Sequence, residues 1–279
     1  MKVSKRIPFT IYTIICVVLL LLLLLGIGSL TKVNRYRHQE SQSNGSLLYE
    51  NQNHPIDAKD AVNYRIDCGY GKVTIKPTND KPYINYINGR PLRISTQTNN
   101  GECEIRLKSY KEMGYDFFNH IFENKTREIE IYLPKTKLNQ VIIIAAANTI
   151  NVEGLQVRKM DIDLSAGDVS VKNCEIDEMK SELNAGNLDF YANKGIQKID
   201  SEVNAGNMDL YLPKDISGFL CDYEADLGSI DHNASFTVHD EKKDEFVNTN
   251  GTLTYGDQSC KIKLEVSVGN ISIDDYDNE

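Results

Sequence analysis

The hydrophobic pattern changes twice along the chain. Residues 7–30 form an uncharged apolar run, and residues 31–60 are mostly polar or charged. From residue 61 onward, apolar and polar residues alternate in short segments, of which residues 129–133 are a clear example. Alternation with a period of two is typical of half-buried β-strands. The pattern therefore predicts a membrane segment at 7–30, a linker at 31–60 and an all-β domain at 61–279.

The apolar run is long enough to cross a bilayer. A helix of this length, at about 1.5 Å per residue, exceeds the roughly 30 Å hydrocarbon core and fits as a tilted span. A cleaved secretory signal is the alternative, with a poor cleavage site at 26–28, although its apolar region is usually shorter. We expect a retained signal anchor whose lipid partner is the bilayer.

Charge does not decide the orientation of this anchor, because three basic residues flank each end of the run. The short tail at 1–6 and the long β-rich body favour a cytoplasmic N-terminus. We therefore expect a single-pass protein of the cell membrane with an extracellular C-terminal domain.

The second half of the chain repeats one motif, in which Ala-Gly is followed by Asp or Asn and two spaced apolar residues. The motif is strongest around four glycines, Gly167, Gly186, Gly206 and Gly269, and weaker around Asn148, Gly228 and Gly251. Successive aligned positions are 19, 19, 20, 22, 23 and 18 residues apart, and an earlier copy lies at Gly71. A period near twenty with strand alternation is typical of stacked repeat proteins.

The apolar residues of each copy lie three and one before the glycine and two and four after it. This arrangement shifts the apolar phase by one at the glycine, so a straight strand would turn its core face toward water. The chain must therefore bend there, and glycine supplies the backbone freedom. The sequence predicts a β-solenoid-like stack of short strands with a period of about 19–22 residues. Its structural turn glycines are Gly71, Gly167, Gly186, Gly206, Gly228 and Gly269.

The ordered set of Ala-Gly-Asp/Asn motifs, preceded by the strand that ends at Leu133 and Pro134, resembles the bacterial putative-adhesin family over roughly residues 62–275. The resemblance implies a β-solenoid-like cell-surface domain behind a membrane segment. It suggests adhesion to, or contact with, an unidentified envelope component. Family members are also similar to accessory membrane proteins of envelope-stress signalling, so regulation through another membrane protein is the alternative function.

Candidate chemistry is sparse. The five histidines are scattered, and nucleophile-elbow, zinc-protease and phosphate-loop motifs are absent from the sequence. We therefore expect no enzymatic activity and no cofactor. The formal charge of −9 argues against a nucleic-acid partner. Five cysteines follow the anchor without a C-x-x-C pair, and we interpret them as buried thiols.

Two polar positions recur with the repeat. Four residues before the glycine lies an acidic row, Asp163, Glu182, Glu202 and Glu224. Stacked carboxylates about 4.8 Å apart would repel each other, and either calcium or neighbouring lysines would offset this repulsion. One residue after the glycine lies a row of Asp, Asn and Ser, which we interpret as a structural turn ladder.

Overall fold

The computed structural model describes residues 46–89, 91–109, 127–232, 235–244 and 249–277. The predicted tail at 1–6, the predicted span at 7–30 and residues 31–45 lie outside these ranges. Within the described ranges, no helix has the length and apolar character required to cross a bilayer. All of the regular secondary structure there is β-strand, which confirms the predicted all-β class.

Seventeen strands form one sheet in the described part of the chain. The strands are β1 (Ser46–Leu48), β2 (Gln52–Pro55), β3 (Asn63–Thr78), β4 (Tyr83–Asn88), β5 (Leu92–Asn99), β6 (Glu102–Ser109), β7 (Glu128–Pro134), β8 (Leu138–Glu153), β9 (Gln156–Lys172), β10 (Glu175–Leu183), β11 (Gly186–Tyr191), β12 (Lys198–Ala205), β13 (Met208–Pro213), β14 (Gly218–His232), β15 (His239–Asp244), β16 (Thr249–Gly256) and β17 (Cys260–Tyr276).

Each repeat copy forms one layer of a stack. A layer consists of a first arm before the aligned glycine position and a second arm after it. In β3, β8, β9, β14 and β17 one strand runs through both arms, whereas β10 and β11 share a layer, as do β12 and β13. Corresponding residues of neighbouring layers pair in parallel, so that Gly186 lies opposite Gly167 and Leu183 lies opposite both Leu164 and Val203. The repeats therefore stack in register, as the sequence predicts.

The order of the layers differs from their order in the chain. β17 lies between the β12–β13 layer and β14, pairing in parallel with both sides. At the other end, β3 lies between the layer formed by β6 and β7 and the following layer, β8. β3 and β17 are thus each the second layer from an end of the stack.

Antiparallel strands cover both ends of the parallel stack. β4 and β5 pair with β7 and β6 at one end, and β16 pairs with β14 at the other. The interpretation of Gly251 as a further repeat copy is therefore wrong, because this residue lies in an antiparallel strand between β14 and β15. The sequence around Gly251 alternates like the motif because β16 is a hairpin strand whose inward side chains, such as Leu253, join the same core.

The folded domain also begins before residue 61. β1 pairs with β5 and β2 pairs with β4, while Leu48, Ile56 and Ala58 are buried in the core. The predicted linker therefore extends no further than residue 45. Edge strands keep one side in solvent, so their polar composition resembles that of a linker.

The core fills the inside of the corner between the two arms. Side chains three before and two after the glycine position point inward, as Val203 and Met208 do in one layer. The apolar residue one before the glycine points outward instead, against expectation: Leu227 is 53% exposed and Val268 is 43% exposed. The chain thus begins to turn before the glycine, so that this side chain lies on the outer edge of the corner.

The turn glycines have the backbone conformation that the phase shift predicts. Gly206 has φ +143°, and a Cβ added there would overlap the carbonyl oxygen of Gly186 in the next layer. Gly228 is the exception, because its φ lies outside the left-handed region. Even so, a Cβ added at Gly228 would overlap the carbonyl oxygen of Gly269. Glycine is therefore required for close approach at both positions. Positive φ values occur at Gly71, Gly167, Gly186, Gly206 and Gly269.

Candidate interaction surfaces

The outward side of the first arms, here called the first face, carries the acidic row. Glu182 lies opposite Asp163 on one side and Glu202 on the other, as the repeat alignment predicts. Glu202 and Glu224 are not neighbours, however, because Glu265 of β17 lies between them. The acidic row therefore forms in register, but it contains one carboxylate more than the predicted set of four. This additional residue is Glu265, which joins the row because β17 lies between the β12–β13 layer and β14.

Lysines of the first face provide counter-charges near this row. Lys263 Nζ lies 2.7 Å from Glu265 Oε1, and this hydrogen bond raises the pKa of Lys263. Lys159 and Lys198 pair instead with aspartates two residues further along their own strands, at 3.2 and 3.4 Å. Among the residues described, no three carboxylate, histidine or cysteine side chains come together in a group that could hold a metal ion. The calcium hypothesis for Asp163, Glu182, Glu202 and Glu224 stays a prediction.

A hydrogen-bonded ladder runs along the outer edge of the corner, one residue after the glycine. Asn187 Nδ2 donates to Asp168 Oδ1 at 2.7 Å, and Asn207 Nδ2 donates to Asn187 Oδ1 at 3.2 Å. Asn270 donates to Asn207 at 3.2 Å, and Ser229 Oγ donates to Asn270 at 2.9 Å. In each rung the backbone N–H donates to the same oxygen as the side chain. These side chains satisfy one another, as a structural turn ladder requires.

The outward side of the second arms, here called the second face, carries two stacked pairs of tyrosines. The rings of Tyr191 and Tyr211 lie in adjacent layers, with centroids 4.2 Å apart and planes 13° apart. Lys172 Nζ covers Tyr191 at 4.7 Å from the ring centroid. At the far end of the same face, Tyr83 and Tyr132 stack at 4.4 Å.

The carboxylates beside the two tyrosine pairs differ in their partners. Glu130, next to Tyr132, accepts hydrogen bonds from Asn85 at 3.0 Å and from the Tyr132 hydroxyl at 3.0 Å. Asp189 and Asp209 lie opposite each other in the layers of Tyr191 and Tyr211. Neither has a hydrogen-bond donor or a basic partner among the described residues. Burial, and then the charges of Asp189 and Asp274, raise the pKa of Asp209.

We call the group formed by Asp189, Asp209, Tyr191 and Tyr211 the tyrosine–aspartate patch. The repeat pattern of the sequence does not by itself single out this patch. The signal is present, because Asp and Tyr occupy the third and fifth positions after the glycine in two consecutive repeats. It becomes meaningful only when parallel pairing places these positions side by side.

The cysteines of the described residues are all buried and unpaired, as the buried-thiol interpretation expects. Burial raises the pKa of Cys174 to about 11 and raises that of Cys221 still further. A thiol is nucleophilic as its thiolate. These side chains therefore act as small apolar groups of the core at neutral pH.

Part of the chain matches a known domain family. Residues 143–274 match the family model described as Toastrack DUF4097. Over this segment, which is somewhat less than half of its length, the chain is similar to the Toastrack DUF4097 family. The Toastrack match begins in β8 and ends in β17, so it includes the inserted C-terminal strand. The family is one of unknown function, in agreement with the resemblance drawn from the sequence.

Solved structures similar to the chain extend beyond the Toastrack match. A putative cell adhesion protein from Clostridium sporogenes is 16% identical, covers 83% of this chain and 100% of its own, and has a TM-score of 0.49. A putative adhesin from Bacteroides fragilis is 11% identical, covers 82% and 97%, and has a TM-score of 0.39. A putative lipid binding protein from Parabacteroides distasonis is 14% identical, covers 84% and 98%, and has a TM-score of 0.33. No curated protein matches the chain.

Proposed function

We propose that the chain is a non-enzymatic protein of the cell surface, anchored in the membrane through residues 7–30, whose extracellular β domain contacts an envelope component. The in-register layers make the second face a continuous polar surface. Extended surfaces of this kind are what stacked repeat proteins use for binding.

The tyrosine–aspartate patch is the observation that carries the proposal. Two carboxylates in adjacent layers, about 4.8 Å apart, repel each other. In the described structure, no donor offsets this repulsion at Asp189 and Asp209, although the matching Glu130 has three, from Asn85, Tyr132 and Lys76. A ligand that supplies hydroxyl or cationic groups would offset it, and the tyrosine rings would contribute contact area and cation–π attraction. The patch is therefore the place where we expect an envelope component to bind.

The test measures binding of the full chain, in detergent, to sedimented cell envelopes. The double variant Asp189→Asn, Asp209→Asn should bind at least tenfold more weakly, because a hydrogen bond to a charged group contributes about 1.5–3 kcal/mol. Asp215→Asn, Asp277→Asn is the matched control, since it removes two exposed carboxylates that pair with Lys194 and Lys214. It should bind like the wild type.

The proposal is wrong if the wild-type chain does not sediment with envelopes, or if both double variants bind as it does. A change in an envelope-stress reporter on deletion of the gene, without any envelope binding, would favour the regulatory alternative.

A further inference from the structure

The last strand of the chain occupies an internal position in the sheet. β17 pairs in parallel with β12 and β13 on one side and with β14 on the other, from Cys260 to Tyr276. The strands on its two sides follow each other directly in the chain, because β13 ends at Pro213 and β14 begins at Gly218. β17 therefore fills a slot between two consecutive layers.

This slot cannot remain empty in a folded domain. β17 contributes six side chains to the core, each at most 3% exposed: Cys260, Ile262, Leu264, Val266, Ile271 and Ile273. Withdrawal of the strand would expose them, together with the facing side chains of both neighbouring layers. Some strand with the same pattern must fill the slot.

Among the described strands β17 comes last, and its covalent link to its own domain is the short connection from β16. Its register is set by rows that every copy of the chain shares, such as Glu265 between Glu202 and Glu224. The β17 of a second copy would make the same contacts in the same register.

The connection that holds β17 in its own domain is short and sharply bent. β16 and β17 lie on opposite sides of β14, about two strand spacings or roughly 10 Å apart. Only residues 257–259 join them, around the start of β14. A Cβ at Gly256 would overlap the carbonyl oxygen of Ser217.

The backbone of this connection is also strained. Gln258 has φ +55°, whereas the φ of +56° at Gly256 is one that glycine adopts without strain. The left-handed region is unfavourable for a residue such as glutamine, which has no local compensation of the kind that asparagine offers. Short strained hinges favour exchange between chains, because an extended hinge relieves the strain while all the other contacts are kept.

We propose that β17 exchanges between two copies of this chain, so that the last strand of each copy fills the slot of the other. The partner is a second copy of the chain, and the hinge is formed by residues 256–259. Anchoring in one membrane would raise the effective concentration of the partner strand. This inference is independent of what the tyrosine–aspartate patch binds.

The test uses two full-length chains with different tags, expressed together in one cell. One chain carries Asp222→Cys and the other carries Lys263→Cys, because these exposed positions are opposite each other across β14 and β17. Parallel neighbours about 4.8 Å apart are within the Cα range for a disulfide. After mild oxidation, we expect at least tenfold more disulfide-linked heterodimer than the matched control pair gives.

The control pair is Asp161→Cys with Lys180→Cys, which are opposite each other across β9 and β10, inside the stack and separated from the exchanged strand by the β12 layer. A chain that carries both Asp222→Cys and Lys263→Cys reports whether the geometry permits the bond. Heterodimer no more abundant than in the control pair, with that double variant cross-linked within single chains, would overturn the proposal. Failure of two differently tagged wild-type chains to co-purify would overturn it as well. The cross-link reports strand exchange and co-purification reports association between copies, and neither depends on envelope binding, so this proposal and the proposed function can fail separately.

Discussion

Replacement of Gly206 by alanine tests the corner of the stack most directly. Alanine adds a single Cβ, which would overlap the carbonyl oxygen of Gly186 and lie 2.6 Å from its carbonyl carbon. Real Cβ atoms essentially never approach another heavy atom within 3.0 Å. The obstructing atoms belong to the backbone of the adjacent layer, which cannot rotate away as a side chain could.

Two costs combine in this variant. An L-residue held at φ +143° costs about 1–3 kcal/mol. Relief of the overlap must separate the layers, and overpacking of this kind typically costs about 1–3 kcal/mol. The separation would also stretch the bond that Asn207 donates to Asn187. We therefore expect the free energy of unfolding to fall by about 2–6 kcal/mol.

Thermal unfolding of the full chain in detergent, followed by far-ultraviolet circular dichroism, measures this effect. For a domain of this size, each kcal/mol shifts Tm by about 2–4 °C, so a decrease of roughly 5–20 °C is expected. Gly195→Ala is the matched control, because this glycine lies outside the left-handed region and its nearest neighbour is 3.4 Å away. If the two variants have the same Tm, the interpretation of the glycine corner is wrong.

Four further predictions concern other parts of the molecule. Asn148→Gly should stabilise the domain by about 1–2 kcal/mol in denaturant unfolding, because it removes a buried amide without a described partner. The additional backbone entropy that glycine loses on folding is a smaller, opposing effect, and an unchanged midpoint would contradict the prediction. Asp209→Asn should raise Tm at pH 7. Because folding raises the pKa of Asp209, ionisation destabilises the fold above that pKa, and the gain should disappear as the pH falls below the ordinary aspartate value; a gain independent of pH would contradict the cause. Calcium should raise Tm more than sodium does at equal ionic strength, and Glu182→Gln, Glu202→Gln should lose this difference; an equal response to both salts would identify plain charge screening. Protease added to intact cells should degrade the chain after residue 31, and protection until lysis would show the opposite orientation.

The sequence predicts how residues align in this stack better than which layers are neighbours. The motif around Gly186 and Gly206 defines inward and outward positions within a layer, and the structure confirms their register. The same motif occurs in β14 and β17, and either strand could follow β12 and β13 on pattern alone. A repeat therefore specifies compatible neighbours, while the choice between them depends on connections such as residues 257–259.

Other differences arise where local pattern and environment disagree. Leu227 follows the apolar parity of its strand but lies exposed, because the corner begins before the glycine. Residues 46–55 have a polar composition but form edge strands. The tyrosine–aspartate patch is assembled by pairing between layers, so its members lie 20 residues apart in the chain. Its two halves become one site only in the folded protein.

The position of β3 has a mechanical consequence. Any pull delivered through the N-terminal segment reaches β1 and β2 first, and each of these short strands pairs with one neighbour. The load then reaches β3, which is held between β6 and β7 on one side and β8 on the other, from Asn63 to Ile75 along β8. Force along a strand that is bonded on both sides loads its hydrogen bonds together in shear, so they must break nearly simultaneously. The domain should therefore release a short, weak extension under tension and then resist as a rigid block.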